Sequence, residues 1–298
     1  MIAIQRVLCP VDVSDFSARA LAHAVALARW YSAEVIVLHV YTAVPAPASI
    51  AAGVAKPTLA ETDRQRVEEW VRSFAAPLLP SDVPSRIEIR EGAAVAGILD
   101  AAEGADLLVI GTHGRGGFAR LLLGSTTEKI IRKASCPVLT VPPGTEGAAL
   151  HVPDSLKRIV CATDFSPSSD KAVEYALSLA QEADARLTLV HVLDWPFVEP
   201  GADPLNQSLA ASRQHVLDNL SERLSLAVPD EARTWCQPEE VIVSGRPHRE
   251  IVRLASEKDA GLIVMGVHGR GALDRAFFGS TTSQVVRHAA CPVLTVRG

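Results

Sequence analysis

The chain has 298 residues, 48% of them hydrophobic and 21% charged, with a formal net charge of −5 at pH 7. That length suggests about two domains, each able to bury its own core, and the composition excludes a fibre or a disordered chain. The acidic balance without a long Lys/Arg run argues against nucleic acid or a membrane surface as partner.

No apolar run is long enough to span a bilayer, and the first residues lead into a strand pattern rather than a signal sequence, so a cytoplasmic location is expected. Five cysteines without C-x-x-C or His/Cys ligand spacing argue against a zinc site or a disulfide framework; Cys9 and Cys161, and Cys136 and Cys291, hold matched strand positions and read as buried apolar groups, while Cys236 has no counterpart.

Arg6 to Val11 reads as a short apolar strand that ends at Asp12. Ser14 to Ala33 places Ala18, Leu21, Ala22, Val25, Leu27, Ala28 and Trp30 at helical spacing behind polar cap candidates. Glu34 to Val40 returns as a strand, and this strand-helix-strand order implies a right-handed crossover and a parallel sheet. Residues 42–57 are Ala- and Pro-rich and read as a loop, followed by a helix from about Leu59 to Ala76. Arg86 to Arg90 alternates as a strand with one face more exposed, Ala94 to Glu103 is a short helix, and Asp106 to Ile110 is a buried strand. Cys136 to Val141 closes the domain as a strand, with Pro137 tolerated near its start.

The Pro- and Gly-containing stretch from Pro142 to Leu156 marks a linker. Beyond it the order repeats: strand Arg158 to Thr163, Asp164, helix Ser168 to Ala183, strand Arg186 to Val192, a loop to about Pro204, a longer helix, a strand near Val241 to Ser244, and a helix from His248 to Glu257. A strand from Gly261 to Met265 and a closing strand from Cys291 to Val296 complete it. The expected domains are therefore residues 1–142 and 158–298, joined by a linker at 143–157. Each is an α/β, doubly wound, five-stranded parallel-sheet domain of Rossmann-like type, in tandem.

The repeat is sharpest in one stretch. Gly111-Thr112-His113-Gly114-Arg115-Gly116 leads to Gly124-Ser125-Thr126-Thr127, and Gly266-Val267-His268-Gly269-Arg270-Gly271 leads to Gly279-Ser280-Thr281-Thr282, each glycine 155 residues from its counterpart. Both copies lie where a strand hands over to a helix, whose first N–H groups lack intrahelical partners and attract anions. A twice-used phosphate cradle is one reading, and a structural turn is the other. Ser125 with Glu128 fits a capping box, but the second copy has Ser283 where the acid would stand, so capping alone does not explain the pattern. In an open parallel sheet ligands sit beyond the carboxyl ends of the strands, where Asp12, Val40 and Gly111, and again Asp164, Val192 and Gly266, could converge. An Asp there can accept from a ribose or an adenine amine, or serve only as a turn group.

The spacing Gly-x2-Gly-x9-Gly-Ser, present as Gly111, Gly114, Gly124, Ser125 and as Gly266, Gly269, Gly279, Ser280, resembles the nucleotide motif of the ATP-binding class of universal stress proteins. With the Asp after the first strand and the closing Cys-Pro-Val-Leu-Thr-Val strand, the resemblance covers nearly the whole chain as a tandem member, least so in the middle loops and second helices. It implies that Asp12 and Asp164 contact the adenosine and that the Val40 and Val192 backbone meets the adenine. It implies phosphate contacts from Gly111, Gly114, Gly116, Gly124, Ser125 and Thr126, and from Gly266, Gly269, Gly271, Gly279, Ser280 and Thr281, with Arg115 and Arg270 as charge partners. It also implies pairing of the two domains through their closing strands, with a homodimer of such chains as a further option.

The expected function is an ATP-binding regulator or sensor in stress response, one adenine-nucleotide site per domain, with or without Mg2+, acting on an unidentified regulatory protein. The loop lacks Gly-Lys-Ser/Thr, no metal-binding Asp is evident, and His113 and His268 have no carboxylate partner at a fixed spacing, so little or no ATP turnover is expected. Slow hydrolysis or nucleotidyl or phosphoryl transfer, and a protein–protein scaffold with structural glycine loops, are the alternatives.

Overall fold

The computed structural model describes residues 2–42, 61–114, 123–144, 156–194, 205–269 and 278–298. Two compact units result, one of Ala3–Val152 and the other built on Pro153–Gly298. The first runs β1 (Arg6–Pro10), α1 (Asp15–Tyr31), β2 (Glu34–Tyr41), α2 (Glu61–Ala75), β3 (Ser85–Glu91), α3 (Ala94–Ala102), β4 (Leu107–Gly111), α4 (Ser125–Lys133) and β5 (Val138–Val141). Its strands lie in the order β3-β2-β1-β4-β5, with parallel pairing throughout. The second runs β6 (Arg158–Ala162), α5 (Pro167–Ala183), β7 (Arg186–Leu193), α6 (Leu205–Leu226), β8 (Glu239–Ser244), α7 (Pro247–Glu257), β9 (Leu262–Gly266), α8 (Ser280–His288) and β10 (Val293–Val296). Its order, β8-β7-β6-β9-β10, is the same and equally parallel. Both units are doubly wound α/β domains, as the alternation of elements predicts.

The inner strands are apolar on both faces because helices cover both sides. Val7, Leu8 and Cys9 of β1 and Leu108 and Val109 of β4 have no exposed surface. Helix α1 packs an alanine-rich face, Ala20, Leu21, Ala24 and Ala28, onto β1, β4 and β5, which lets its backbone lie close to the sheet. It starts in a capping box: Ser14 Oγ accepts from Ser17 N at 3.3 Å and Ser14 N donates to Ser17 Oγ at 3.1 Å. Ser166 and Ser169 repeat that box at the start of α5.

The boundaries differ from the sequence expectation where backbone chemistry intervenes. The closing strand begins at Val138, not Cys136, because Pro137 has no N–H for the ladder and contributes only its carbonyl, which accepts from Leu108 N at 2.9 Å. The edge strand β3 is half-buried over residues 87–90 and exposed at both ends instead of alternating cleanly. Its charged face carries Arg86–Glu88 at 2.8 Å and Arg90–Glu88 at 2.5 Å, pairs worth at most about 1 kcal/mol each that discourage strand addition at the edge. Nearly all of the loop expected at 42–57, most of the linker at 143–157 and most of the loop before Pro204 lie outside the described residues.

All five cysteines are free. Burial pushes the Cys136 and Cys291 thiols up to about 11 and those of Cys9 and Cys161 higher still, so these four are apolar filling rather than nucleophiles.

One buried histidine gives the fold a pH dependence. His23 on α1 sits 7% exposed with Nδ1 2.9 Å from Arg19 O, and burial holds its imidazole below the usual value. The unfolded chain then binds the proton more readily, so stability is full above the ordinary histidine value of about 6.5 and is lost as pH falls below it. Urea midpoints measured from pH 7.5 down to 5.5 should fall for the native chain and fall less for His23→Gln.

Candidate functional site

β1 pairs with β2 on one side and β4 on the other, while the chain passes from β1 to β2 directly and reaches β4 later. The connections leaving β1 and β4 therefore diverge to opposite faces, and a crevice opens at their carboxyl ends. A cavity of about 630 Å³ occupies it, lined among others by Asp12, Val40, Gly111, Gly114, Gly124, Ser125 and Thr126. Those are the seven first-half residues selected from the sequence that fall within the described residues. Arg115 and Gly116 lie outside them, as do Arg270 and Gly271 in the second half.

Three close approaches explain the glycines. A Cβ on Gly114 would stand 2.8 Å from Asp12 Oδ2, one on Gly124 3.1 Å from Thr112 O, and one on Gly111 3.2 Å from His113 O. At Gly111, Gly114 and Gly124 the backbone and Asp12 come so close that an added Cβ would force a neighbour to shift. The second unit repeats the device, with Gly269 at 2.7 Å from Asp164 Oδ2 and Gly279 at 3.0 Å from Val267 O. Asp164, Val192, Gly266, Gly269, Gly279, Ser280 and Thr281 thus occupy the same places on β6, β7, β9 and α8 as their first-half counterparts on β1, β2, β4 and α4.

Ser125 does not cap its helix. Gly124 holds the N-cap position, without a side-chain bond, and Ser125 is the first helical residue. The capping-box reading of Ser125 and Glu128 fails because the helix start is already fixed by other bonds. Gly124 N donates to Thr112 O at 2.8 Å, and the buried Thr127 Oγ1 donates to Gly111 O at 2.8 Å. Thr282 and Gly266 repeat the second bond at 2.9 Å. Thr127 was not among the residues chosen from sequence, although its pairing with Thr282 in the repeat was the available signal. Replacing it by valine keeps the shape and strands the Gly111 carbonyl, so Thr127→Val should lower unfolding free energy by about 1–3 kcal/mol in a urea titration.

Asp12 has both roles open to it from the sequence. Its Oδ1 accepts from Ser14 N at 3.2 Å and Ser14 Oγ at 2.5 Å, which makes the turn into α1, while Oδ2 faces Gly114. Asp164 does the same with Ser166 N at 3.1 Å and Ser166 Oγ at 2.6 Å. The next residue is left-handed in both units, Val13 at φ 62° and Phe165 at φ 59°, an uncommon state for a β-branched or bulky side chain. Such strain, repeated at the matched turn of both units, marks a turn whose shape matters.

His39 lines the cavity too, and His191 stands 152 residues on, the same interval that separates Asp12 from Asp164. Val11 O, 2.7 Å from His39 Nδ1, can only accept, so Nδ1 carries hydrogen; Thr163 O fixes His191 likewise at 2.8 Å. His113 joins the lining, its Nδ1 2.9 Å from Thr112 Oγ1, and burial holds its imidazole below the usual value. Among the described residues it makes no ion pair with a carboxylate, which leaves no oriented acid/base pair at its side. The two loops are also tied down differently. Phe16 lies with its ring centroid 5.7 Å from that of His113, whereas Ser168 Oγ, two residues after Ser166, donates to His268 O at 2.5 Å.

The start of α4 supplies N–H groups and hydroxyls at Ser125 and Thr126, and the positive end of the helix dipole, to one wall of the cavity. Leu38, Val40 and Ile98 supply an apolar wall. Anion at one end and an apolar ring at the other is the chemistry such a cleft can accommodate.

The universal stress protein family model matches this chain twice, over residues 3–142 and 155–297. A universal stress protein of Mycolicibacterium smegmatis is 29% identical over 304 residues, covering 98% of this chain and 96% of that relative. One of Mycobacterium tuberculosis is 34% identical over 197 residues, covering 65% of this chain and 62% of that protein. Among solved structures, a universal stress protein of Archaeoglobus fulgidus has the same fold, with a TM-score of 0.68, 22% identity and 98% coverage of both chains.

Proposed function

Given a chain that belongs to the universal stress protein family, we propose that it binds ATP at one site in each unit and acts as a nucleotide-dependent regulator or sensor in stress response, with little or no turnover. The observation that carries this is the cavity at the β1/β4 crevice, where the seven described first-half residues of the glycine motif and its neighbours meet around a helix start. In this reading the N–H groups of Ser125 and Thr126 and the glycine backbone take the phosphates, Asp12 takes a hydroxyl or amine of the nucleoside, and Val40 flanks the base. Asp164, Val192 and the second glycine loop do the same in the other unit.

Mg2+ enters as a companion of the phosphates; among the described residues no group of three His, Cys, Asp or Glu side chains could hold a metal alone. A cytoplasmic location, pairing of two chains and a regulatory protein partner belong to the same reading. Ligand would shift such a regulator only through unequal affinity for its two states.

The test is an equilibrium titration of ATP onto chain stripped of nucleotide, counted per chain and paired with a steady-state hydrolysis assay. Two saturable sites with turnover far below the ordinary enzyme range of about 1–1000 per second are expected. Turnover within that range, lost on changing His113 or His268, would favour an enzyme. No saturable binding would favour a scaffold with structural glycine loops.

A further inference from the structure

The geometry points to the start of α7 and the end of α8 as a docking surface for an acidic segment of a partner protein. This inference stands apart from the nucleotide reading, because it rests on surface charge in one unit and on no residue of the glycine loops.

Helix α7 opens with Arg246 at the N-cap, Pro247, His248 and Arg249, and its N-cap makes no side-chain capping bond. Positive side chains at the positive end of a helix dipole are unfavourable for the helix itself. Arg246 and Arg249 are both exposed, and among the described residues neither joins an ion pair. The contrast along the same helix is sharp: Arg253 bridges Glu250 at 2.8 Å and Glu257 at 2.6 Å. Lys258 and Glu239 meet at 2.6 Å and Arg233 and Glu240 at 2.8 Å, so nearby cations of this unit have acids to hand.

Helix α8 packs against α7 and ends in Arg287 and His288, both exposed, which brings more basic side chains to the same region. His248 registers the crowding. Its imidazole is held below the usual value first by burial and then by repulsion from Arg249, His288 and Arg246.

Among the described residues, the first unit lacks a basic helix start at the matching place, although its α4 also ends in Arg132 and Lys133. Gly92 and Gly245 open the matching helices, with φ 141° and 149°, each donating N–H at 2.9 Å to the last residue of the preceding inner strand, Tyr41 or Leu193. Counting from them, Arg246, His248 and Arg249 replace Ala93, Val95 and Ala96. The charge is therefore no requirement of the fold at this position.

Guanidinium forks suit carboxylates and take them two bonds at a time. A patch of one helical turn and one helix end is too short to track a nucleic-acid backbone, in a chain whose net charge is −5. A short run of Asp and Glu on a protein surface fits its size and sign.

The experiment titrates fluorescein-labelled octaglutamate onto the full chain, with Arg246→Ala/Arg249→Ala as the test variant and Arg64→Ala/Lys133→Ala, which removes the same charge from the first unit, as control. Binding should weaken about tenfold in the test variant and hardly at all in the control, and should weaken with added salt. The melting temperature of the test variant should stay level or rise, since it loses like charges at a helix start. Equal loss in both variants, no saturable binding by the native chain, or tighter binding of an oligonucleotide of the same charge would overturn the proposal. A fall of several degrees in the test variant's melting temperature would do so as well, by assigning the arginines to the fold.

Discussion

Gly114→Val is expected to remove ATP from the first unit and leave the second occupied, so that the stoichiometry falls from two nucleotides per chain to one. The position of Gly114 beside Asp12 gives the reason: even a methyl there would lie 2.8 Å from Asp12 Oδ2, and valine adds further bulk at a residue that lines the cavity. Either Asp12 leaves its place or the loop retreats, and both dismantle the cleft. A loss of about 100-fold, or about 2.7 kcal/mol, is the least expected at that site. Gly269→Val should mirror it, because Asp164 stands as close, at 2.7 Å. Calorimetry on the single and double variants, with circular dichroism as a check that the fold persists, reads the result directly. Unchanged stoichiometry in folded variants would remove the glycine loops from the binding site.

Asp12→Ala should separate the two roles that Asp12 combines. Loss of a charged acceptor from a nucleoside hydroxyl or amine is worth about 1.5–3 kcal/mol, so ATP affinity at the first site should fall by about 10- to 150-fold. The turn into α1 loses its acceptor for Ser14 N and Ser14 Oγ at the same time, and unfolding free energy should drop by about 1 kcal/mol. Asp12→Asn keeps an acceptor for the turn but not the charge, and should recover most of the stability with less of the affinity. If Asp12→Ala lowered stability while ATP bound as before, the carboxylate would be a turn group and nothing more. The matched change at Asp164 offers the same comparison in the second unit.

The candidate site was legible in the sequence to an unusual degree because the chain writes it twice. A single Gly-Ser before a helix could have been a cap; the second copy lacks the acid three residues after the serine, and the structure places neither serine at a cap. What the repeat could not convey was which atoms the glycines make room for. Asp12 and Gly114 are far apart in the chain, and their contact exists only because β1 and β4 are neighbours in the sheet. Thr127 was passed over for a similar reason: its hydroxyl serves Gly111, sixteen residues earlier, across a loop closure. His39 drew no role from the sequence, since a lone histidine on an apolar strand carries no sign of the carbonyl that orients it. The basic start of α7 went unnoticed because Arg246, His248, Arg249, Arg287 and His288 form no run and become one surface only when two helices pack.

Hydrophobic periodicity and the repeat by themselves determined the alternation of strand and helix, and with it two doubly wound α/β domains, because burial on both faces of a parallel sheet leaves few other ways to satisfy the pattern. They also placed Asp12, Val40, Gly111 and their counterparts at strand ends, where the chain must turn. Only the tertiary structure decided that β1 and β4 lie side by side and enclose a cavity between their ends, that the glycines are demanded by contacts of under about 3.3 Å, and that Ser125 begins its helix instead of capping it. The division is physical: periodicity is a property of neighbours in the chain, whereas a cleft is a property of neighbours in space, and strand order decides which residues those are.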